Sequence, residues 1–294
     1  MLSRKVIVAS GILLLCAAAT WKLQVGHRWT QKIPPGFTVK MRYTGTETFA
    51  DSATGLLPRA DVLAEYDRDI KIVADSERPR AVTLAERLTI RSVSTGKIIW
   101  EYVTQAGVDP RTGALLDPRY AGDYALFPRE VAKGTYRIRS NYLTGIPLAF
   151  QREEEIDGLA TYLFAYRGPI EYTESFLGSE QTPGTVVPRG QQVQCVDDQF
   201  YYRVWVEPRT GNRVKIEEGC PSGDYLVDGS GTRHAVVDRW SGVTTGQDLL
   251  RRVAEVRRLR LIYLLNYSYL PLALAGAGAF ALLLAMRVPT GQPA

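Results

Sequence analysis

Side chains able to do chemistry are sparse in this 294-residue chain. It has two histidines, His27 and His234, and no His-Glu-x-x-His pair, no Gly-x-Ser-x-Gly elbow and no Gly-rich phosphate loop. Hydrolase, zinc-protease and nucleotide chemistry therefore lack their usual carriers. Two acidic runs, Glu153-Glu154-Glu155 and Asp197-Asp198, read as solvated strand-edge or loop charge rather than as paired acid–base groups or a metal site. The sequence points to no catalytic residue, no cofactor and no metal, and so to a non-enzymatic protein. Of three cysteines, Cys195 and Cys220 lie outside the apolar segments. Phe200–Val206 running in and Arg213–Glu217 running back about Thr210 would bring position 195 near position 220, within a few residues of register. A disulfide needs Cα atoms about 4.4–6.8 Å apart, and one closing this loop would stabilise by roughly 3 kcal/mol. The alternative is two free thiols in a cytoplasmic domain, with no histidine or lysine cluster nearby to activate either.

The elements that must carry these residues are bracketed by two charge-free apolar segments. Leu261–Met286 has 26 residues without a charge, enough to cross a hydrocarbon core that takes about 20. Pro271 near its start is expected to kink it. Ala273, Gly276, Ala277 and Ala281 offer small residues at helical spacing where a second helix could approach closely. The bland alternative is small residues filling a lone span. At the other end Val6–Trp21 follows the basic Arg4-Lys5 pair and reads as an uncleaved anchor, a removable signal peptide, or a lipidated segment through Cys16. Trp21 fits an interfacial aromatic.

Charge follows these segments. The chain carries +5. Residues 1–25 hold +3 and residues 247–294 hold +4, which leaves −2 for the middle. The basic excess belongs beside the membrane, with anionic headgroups as its partner. Nucleic acid would want a basic stripe on the folded domain. Thr245-Gly-Gln-Asp248 has capping-box spacing. From it a helix is expected through Leu249, Leu250, Val253 and Val256 into the span, presenting Arg251, Arg252, Arg257, Arg258 and Arg260 to lipid phosphates. The first segment usually sets orientation, so the middle domain is expected outside the cell, although this arginine group sits against the local positive-inside preference.

The middle reads as antiparallel β. Phe37, Val39, Met41 and Tyr43 alternate with polar residues, as do Val82, Leu84, Leu88 and Ile90, then Ile98, Trp100 and Tyr102 beyond a Ser-Thr-Gly-Lys turn. Ala160–Tyr166 and Phe200–Val206 share the period of two expected of half-buried strands. Arg68–Ala74 is a weaker strand. Val108-Asp-Pro-Arg-Thr-Gly113 and Val206-Glu-Pro-Arg-Thr-Gly211 differ only by Asp for Glu, and both predict hairpin turns. Residues 178–194 and 219–231, rich in Gly and Pro, are expected to be loops. The organisation is then residues 1–5, a cytoplasmic n-region; 6–25, the first apolar segment; 26–245, a mainly antiparallel β (α+β) extracytoplasmic domain; 246–260, a basic juxtamembrane helix; 261–286, a transmembrane helix; and 287–294, a short tail.

The order of landmarks resembles the actinobacterial porin-A-like family of two-span envelope proteins. The matching residues are Ile33-Pro-Pro-Gly-Phe37, Asp109-Pro-Arg-Thr-Gly113, Phe127-Pro128, Lys133-Gly-Thr-Tyr136, Glu155-Ile-Asp-Gly158, Thr161-Tyr-Leu-Phe164 and Trp205-Val-Glu-Pro-Arg-Thr-Gly211, closed by the Pro-broken, Gly-rich span. The chain departs from that pattern at Arg137-Ile-Arg139. Phe200–Gly219 is also similar to one hairpin of the periplasmic lipoprotein-carrier and sigma-regulator sensor fold, a curved sheet half-enclosing an apolar ligand. Two functions follow as expectations: a membrane-anchored binding or scaffold module for an apolar ligand or an envelope protein partner, or a channel or transport component acting as an oligomer. An open concave apolar face would favour ligand binding, and a filled core partner contact.

Overall fold

The computed structural model describes residues 4–25, 38–49, 62–74, 81–139, 145–170, 191–195, 199–228 and 230–287. The chain divides into two compact units. Lys32–Val256 forms the β domain, and Met1–Gln31 with Arg257–Ala294 forms the helical unit.

The β domain contains β1 (Thr38–Phe49), β2 (Val62–Ala74), β3 (Val82–Ser92), β4 (Ile98–Val108), β5 (Asp123–Tyr124), β6 (Thr135–Ile138), β7 (Ile146–Ile156), β8 (Leu159–Arg167), β9 (Gln191–Cys195), β10 (Tyr201–Glu207), β11 (Asn212–Asp228) and β12 (Arg233–Val243). They make one sheet in the order β4-β3-β2-β1-β12-β11-β10-β8-β7-β6-β5, with β9 added to the far half of β11. All these pairs are antiparallel except β5 with β6. The sheet also returns on itself. Val108 at the end of β4 bridges Leu115, and Ala114 bridges Tyr124 in β5. Leu116 N donates to Gly107 O at 3.0 Å and Leu115 N to Asp123 O at 2.9 Å. Backbone pairing therefore runs all the way round at this end, and the sheet is a barrel.

Period two decides which side chains fill it. Val39, Met41 and Tyr43 of β1 are buried, as are Tyr66, Ile70 and Ile72 of β2 and Val82, Leu84, Leu88 and Ile90 of β3. They join Leu148, Phe164, Val204 and Ile216 from the other side in one continuous core. Ile98 departs from the expected alternation and is exposed. A register shift pairs Trp100 with Ile90 but Ile98 with Arg91, which puts Ile98 on the outer face. That face carries cross-strand ion pairs, Arg42–Asp67 at 2.8 Å, Arg87–Glu101 at 2.7 Å and Arg203–Glu217 at 3.1 Å, among exposed Leu63, Val73 and Val103. Arg137 and Arg139, the departure from the family pattern, both reach Asp123, at 2.9 and 3.1 Å.

Two expected loops resolve differently. β11 runs on to Asp228, so most of 219–231 is strand. Its Cys220-Pro221-Ser222-Gly223 stretch marks register irregularities rather than a break, the other use of Pro and Gly in sheets. Residues 191–194 belong to β9, while 178–190 lie outside the described residues.

Both copies of the repeated hexapeptide are turns, and they grip one segment. Ala125 N donates to Gly113 O at 2.9 Å, Val131 N to Pro208 O at 2.7 Å and Glu130 N to Arg209 O at 3.1 Å. Between these contacts Phe127 is fully buried, edge-on to Tyr136 and tilted against Phe164 at centroid distances of 5.2 and 5.0 Å. Within the second turn the buried Glu207 carboxylate accepts from Thr210 N at 2.8 Å and Thr210 Oγ1 at 2.6 Å. Gly211 has φ +69°, and a Cβ there would stand 2.3 Å from Pro128 O. Left-handed backbone plus that collision predicts that Gly211→Ala costs the barrel at least about 2 kcal/mol. Thermal unfolding of the full-length protein should fall by roughly 4 °C or more; an unchanged melting temperature would refute the tight turn contact.

Candidate functional site

The helical unit holds α1 (Arg4–Thr20) and α3 (Leu270–Arg287), each followed or preceded by a π-helical turn, Trp21–Val25 and Leu265–Tyr269. α2 (Gly246–Leu264) leads into the second of these. α1 and α3 pack antiparallel: Gly11 lies against Gly278, and Trp21 against Asn266. Both helices are long and apolar enough to cross a membrane. Antiparallel packing puts Arg4, Lys5 and Arg287 at one end of the hairpin and Lys22 at the other.

Pro271 explains the polar chemistry at that other end. Lacking an N–H, it cannot donate to the carbonyls one helical turn back, at Tyr267 for an α turn or Asn266 for a π turn. Those two carbonyls take donors from the neighbouring helix instead. Trp21 Nε1 donates to Asn266 O at 3.1 Å and Lys22 Nζ to Tyr267 O at 2.8 Å. Lys22 also stands 3.4 Å over the Tyr267 ring, which stacks on Tyr263 at 5.2 Å. Below this collar, α1 from Val6 to Thr20 rises about 22 Å at helical pitch, a little short of a hydrocarbon core of about 30 Å. Trp, Tyr and Lys gathered at one level suit a membrane–water interface.

The helix contact falls on a different stripe from the expected one. Gly11 and Ala18 of α1 are buried, with Pro271, Gly278 and Ala285 of α3. Ala273, Gly276 and Ala277 are exposed and Ala281 is half-buried. Spacing of four made the Ala273/Ala277/Ala281 row conspicuous, but the seven-residue spacing through Gly278 brings the backbones together, because Cβ atoms at 278 and 11 would meet opposing carbonyls at 2.8 and 3.0 Å.

In the β domain, Arg252 departs from the expected lipid-facing group. It is buried; its Nε donates to Arg213 O at 2.8 Å and its Nη1 pairs with Glu255 at 2.8 Å. The turn of α2 that carries it is held down by Val253 and Val256, packed on Leu159 and Val214 with Leu249 beside them. Helical periodicity turns Arg251, Arg257 and Arg258 away from that contact. These three are exposed and Arg260 is half-buried, with Arg251 bonded to Asp248 at 3.0 Å.

The barrel interior holds a polar layer at inward strand positions. Arg68 is fully buried on the same face as Ile70 and Ile72. Its Nη2 reaches Glu218 at 3.1 Å and Tyr43 OH at 3.2 Å, and its Nε lies 3.4 Å from Glu86. Tyr43 OH donates to Glu218 at 2.7 Å, and Tyr66, stacked on Tyr43 at 4.7 Å, donates to Glu47 at 2.8 Å. Strand parity was the available signal: Arg68 and Glu86 each occupy an inward position of a run otherwise apolar. Burial also pushes the nearby Tyr202 phenol above its ordinary range. An apolar cavity at the barrel end, lined by Val39, Met41, Ile70, Ile72 and Leu126 beside Arg213 and Arg252, holds about 30 Å³, room for one water.

Glu154 and Glu153 of the acidic run pair with Arg152 and Lys133. Asp197, Asp198, His27 and the side chain of His234 lie outside the described residues. Cys16 is a free, exposed thiol and Cys220 is disulfide-bonded. The side chain of Cys195 lies outside the described residues, and its backbone pairs with Asp224 on β11, four positions past Cys220.

Residues 5–287 match the family described as Porin PorA. No curated protein matches the chain. The family match spans nearly the whole sequence, and the chain belongs to the porin PorA family.

The hairpin geometry predicts unequal glycines. Gly278→Leu should force α1 from α3 and destabilise the detergent-solubilised protein by roughly 1–3 kcal/mol. Gly276→Leu, on an open face, should melt like the parent. Equal melting temperatures for the two variants would place the contact elsewhere.

Proposed function

We propose that this member of the porin PorA family is a non-enzymatic cell-envelope protein whose barrel, held outside the cell by the two-helix hairpin, binds a partner at the membrane surface. One observation carries this reading: among the described residues the barrel interior is packed and the outer face bears cross-strand ion pairs. A transmembrane barrel needs an apolar outer band, and here the outer face carries Arg42, Arg87 and Arg203 in ion pairs. A pore needs a lumen, and a carrier for acyl chains needs an apolar cavity far larger than the 30 Å³ that the described residues enclose at the barrel end. The packed core supports contact with a partner through the surface. Arg251, Arg257, Arg258 and Arg260 are the residues proposed to lie on anionic headgroups, at about 1 kcal/mol each near such a surface. Packing of α1 on α3 supports a retained anchor rather than a cleaved signal.

The disulfide at Cys220 supports an oxidising compartment, with Cys195 as the proposed partner. Cys220 is fully buried, so its state is read after denaturation: protein from acid-quenched cells should take maleimide at position 220 only after reduction. Labelling there without reduction would put the barrel in a reducing compartment, the cytoplasm.

The family match favours a second reading, a channel or transport component. One hairpin encloses no path, so conduction on this reading belongs to an oligomer of hairpins. Purified full-length protein in planar bilayers is expected to be electrically silent over the range of protein-to-lipid ratios at which a barrel-deleted hairpin is also silent. Reproducible unitary conductance that scales with oligomer formation would replace the binding-module reading with the channel.

A further inference from the structure

On the outer face of the barrel, β7, β8, β10 and the middle of β11 enclose an open groove of about 680 Å³. Its floor includes Leu163 and Ala165, outward positions of β8. The short side chain of Ala165 leaves a trough between Arg152, Tyr201 and Arg203. A register shift in β7 between Phe150 and Arg152 interrupts its pairing with β8. Bulges of this kind re-aim side chains, and Gln151 and Arg152 line the groove at that point. Tyr201 and Arg203 of β10 form another wall, and Arg167 and Gln199 also line it.

The cations here retain unused donors. Arg203 uses Nη1 on Glu217 at 3.1 Å and its side chain is still 51% exposed; Arg152 uses Nη2 on Glu154 at 2.9 Å and is 61% exposed. A guanidinium has five N–H donors, and forks of this kind match carboxylate or phosphate oxygens two at a time. Tyr201 is half-buried, giving an aromatic surface beside them. Trp205, also lining the groove, is fixed in place: its indole N–H donates to Glu154 and the Lys215 ammonium lies 4.2 Å over its ring. Burial works to raise the Glu154 carboxyl, but the hydrogen bonds from Arg152 and Trp205 outweigh it and hold the group below its usual range.

We propose that this groove binds an anionic saccharide, its acidic group on the Arg152/Arg203 forks, its hydroxyls on Gln151 and Gln199, and a sugar face on Tyr201. Shape and chemistry both support this occupant. The volume lies within the range of small-ligand sites, and the groove is open along the sheet, as a chain of sugars requires. A fatty acyl chain would find arginines where it needs apolar walls, and a bare anion would leave the aromatic and amide groups unused. This rests on the reading of the barrel as a binding module and names the class of ligand.

Isothermal titration of the full-length protein in detergent micelles tests it, with trigalacturonate as the acidic probe, maltotriose as the neutral one and inorganic phosphate as the bare anion. Trigalacturonate should bind at least about tenfold more tightly than either of the others. Arg203→Gln and Tyr201→Ala should each weaken it about tenfold, the loss of one charge-assisted or stacking contact, at unchanged melting temperature. Arg87→Gln, on the far outer face, should leave it unchanged. The proposal fails if trigalacturonate does not bind, if phosphate alone matches it, or if Arg87→Gln weakens binding as much as Arg203→Gln. Silent bilayers with an empty groove would overturn the saccharide site and leave the module reading standing; conductance would overturn the module reading first.

Discussion

The β domain depends on one buried guanidinium. Arg68 has no solvent contact, and an ion taken out of water needs charged and hydrogen-bonding partners or it costs several kcal/mol. Its partners come from three other strands: Tyr43 on β1, Glu86 on β3 and Glu218 on β11. β1 and β3 flank β2 in the sheet, but β11 is reached only across β1 and β12. Satisfying Arg68 therefore requires the sheet to curl until β11 faces β2. A one-residue slip of β2 would turn Arg68 to the outside and put Asp67 or Asp69 inward. Removing one partner of such a pair typically costs about 3–5 kcal/mol, comparable to much of a domain's net stability. The layer specifies the curled register more than it adds stability over an apolar core, since a well-packed hydrophobic replacement of a buried ion pair is often no worse.

The same accounting of polar groups governs the helices. Pro271 removes a donor at the level of the Trp, Tyr and Lys collar, and Asn266 and Tyr267 recover partners from Trp21 and Lys22 on the other helix. In the barrel the partners of a buried cation come from distant strands; in the hairpin the partners of freed carbonyls come from a segment some 245 positions earlier in the chain. In both places a local defect is made good only by the tertiary pairing, so each defect specifies that pairing. Proline in a spanning helix is tolerated on these terms.

How much of this was legible in the sequence depended on whether the signal was local. The strands of β1, β3, β8 and β10 stood out because alternation is a short-range pattern. Both hexapeptide turns were readable from their Pro and Gly, but not their convergence on Phe127, which depends on strands meeting around the barrel. Arg68 and Glu86 sat at inward parity and passed as interruptions, since a charge inside a strand looks like a break until its partner is known. Cys220-Pro221-Ser222-Gly223 has the composition of a loop, yet it bends a strand held by pairing on both sides. Arg252 could not be told from its neighbours by type. Only the contact of Val253 and Val256 with Leu159 and Val214 separates it from Arg251 and Arg257. The stripe of Ala273, Gly276 and Ala277 stays open while α1 packs on the Gly278 face, because nothing local distinguishes two small-residue faces of one helix.

That last difference bears on the family name. If PorA proteins conduct, the described residues leave no path through the barrel, whose interior is occupied by Arg68, its partners and a continuous apolar core. A path must then be made by helices, and the Gly278 face is already consumed by contact with α1. What remains for a second hairpin is the face bearing Ala273, Gly276 and Ala277, where a close approach needs no further distortion because nothing stands within 4 Å of Gly276. Lys22 would not line such a path, since its ammonium is held by the Tyr267 carbonyl and ring. With no Asp, Glu, Lys, Arg or His among residues 6–20 or 261–286, a helical pore of this sequence would carry no fixed charge along its length. Ions cross an apolar constriction only when it is wide enough to stay wet, so conduction would demand a ring of many copies.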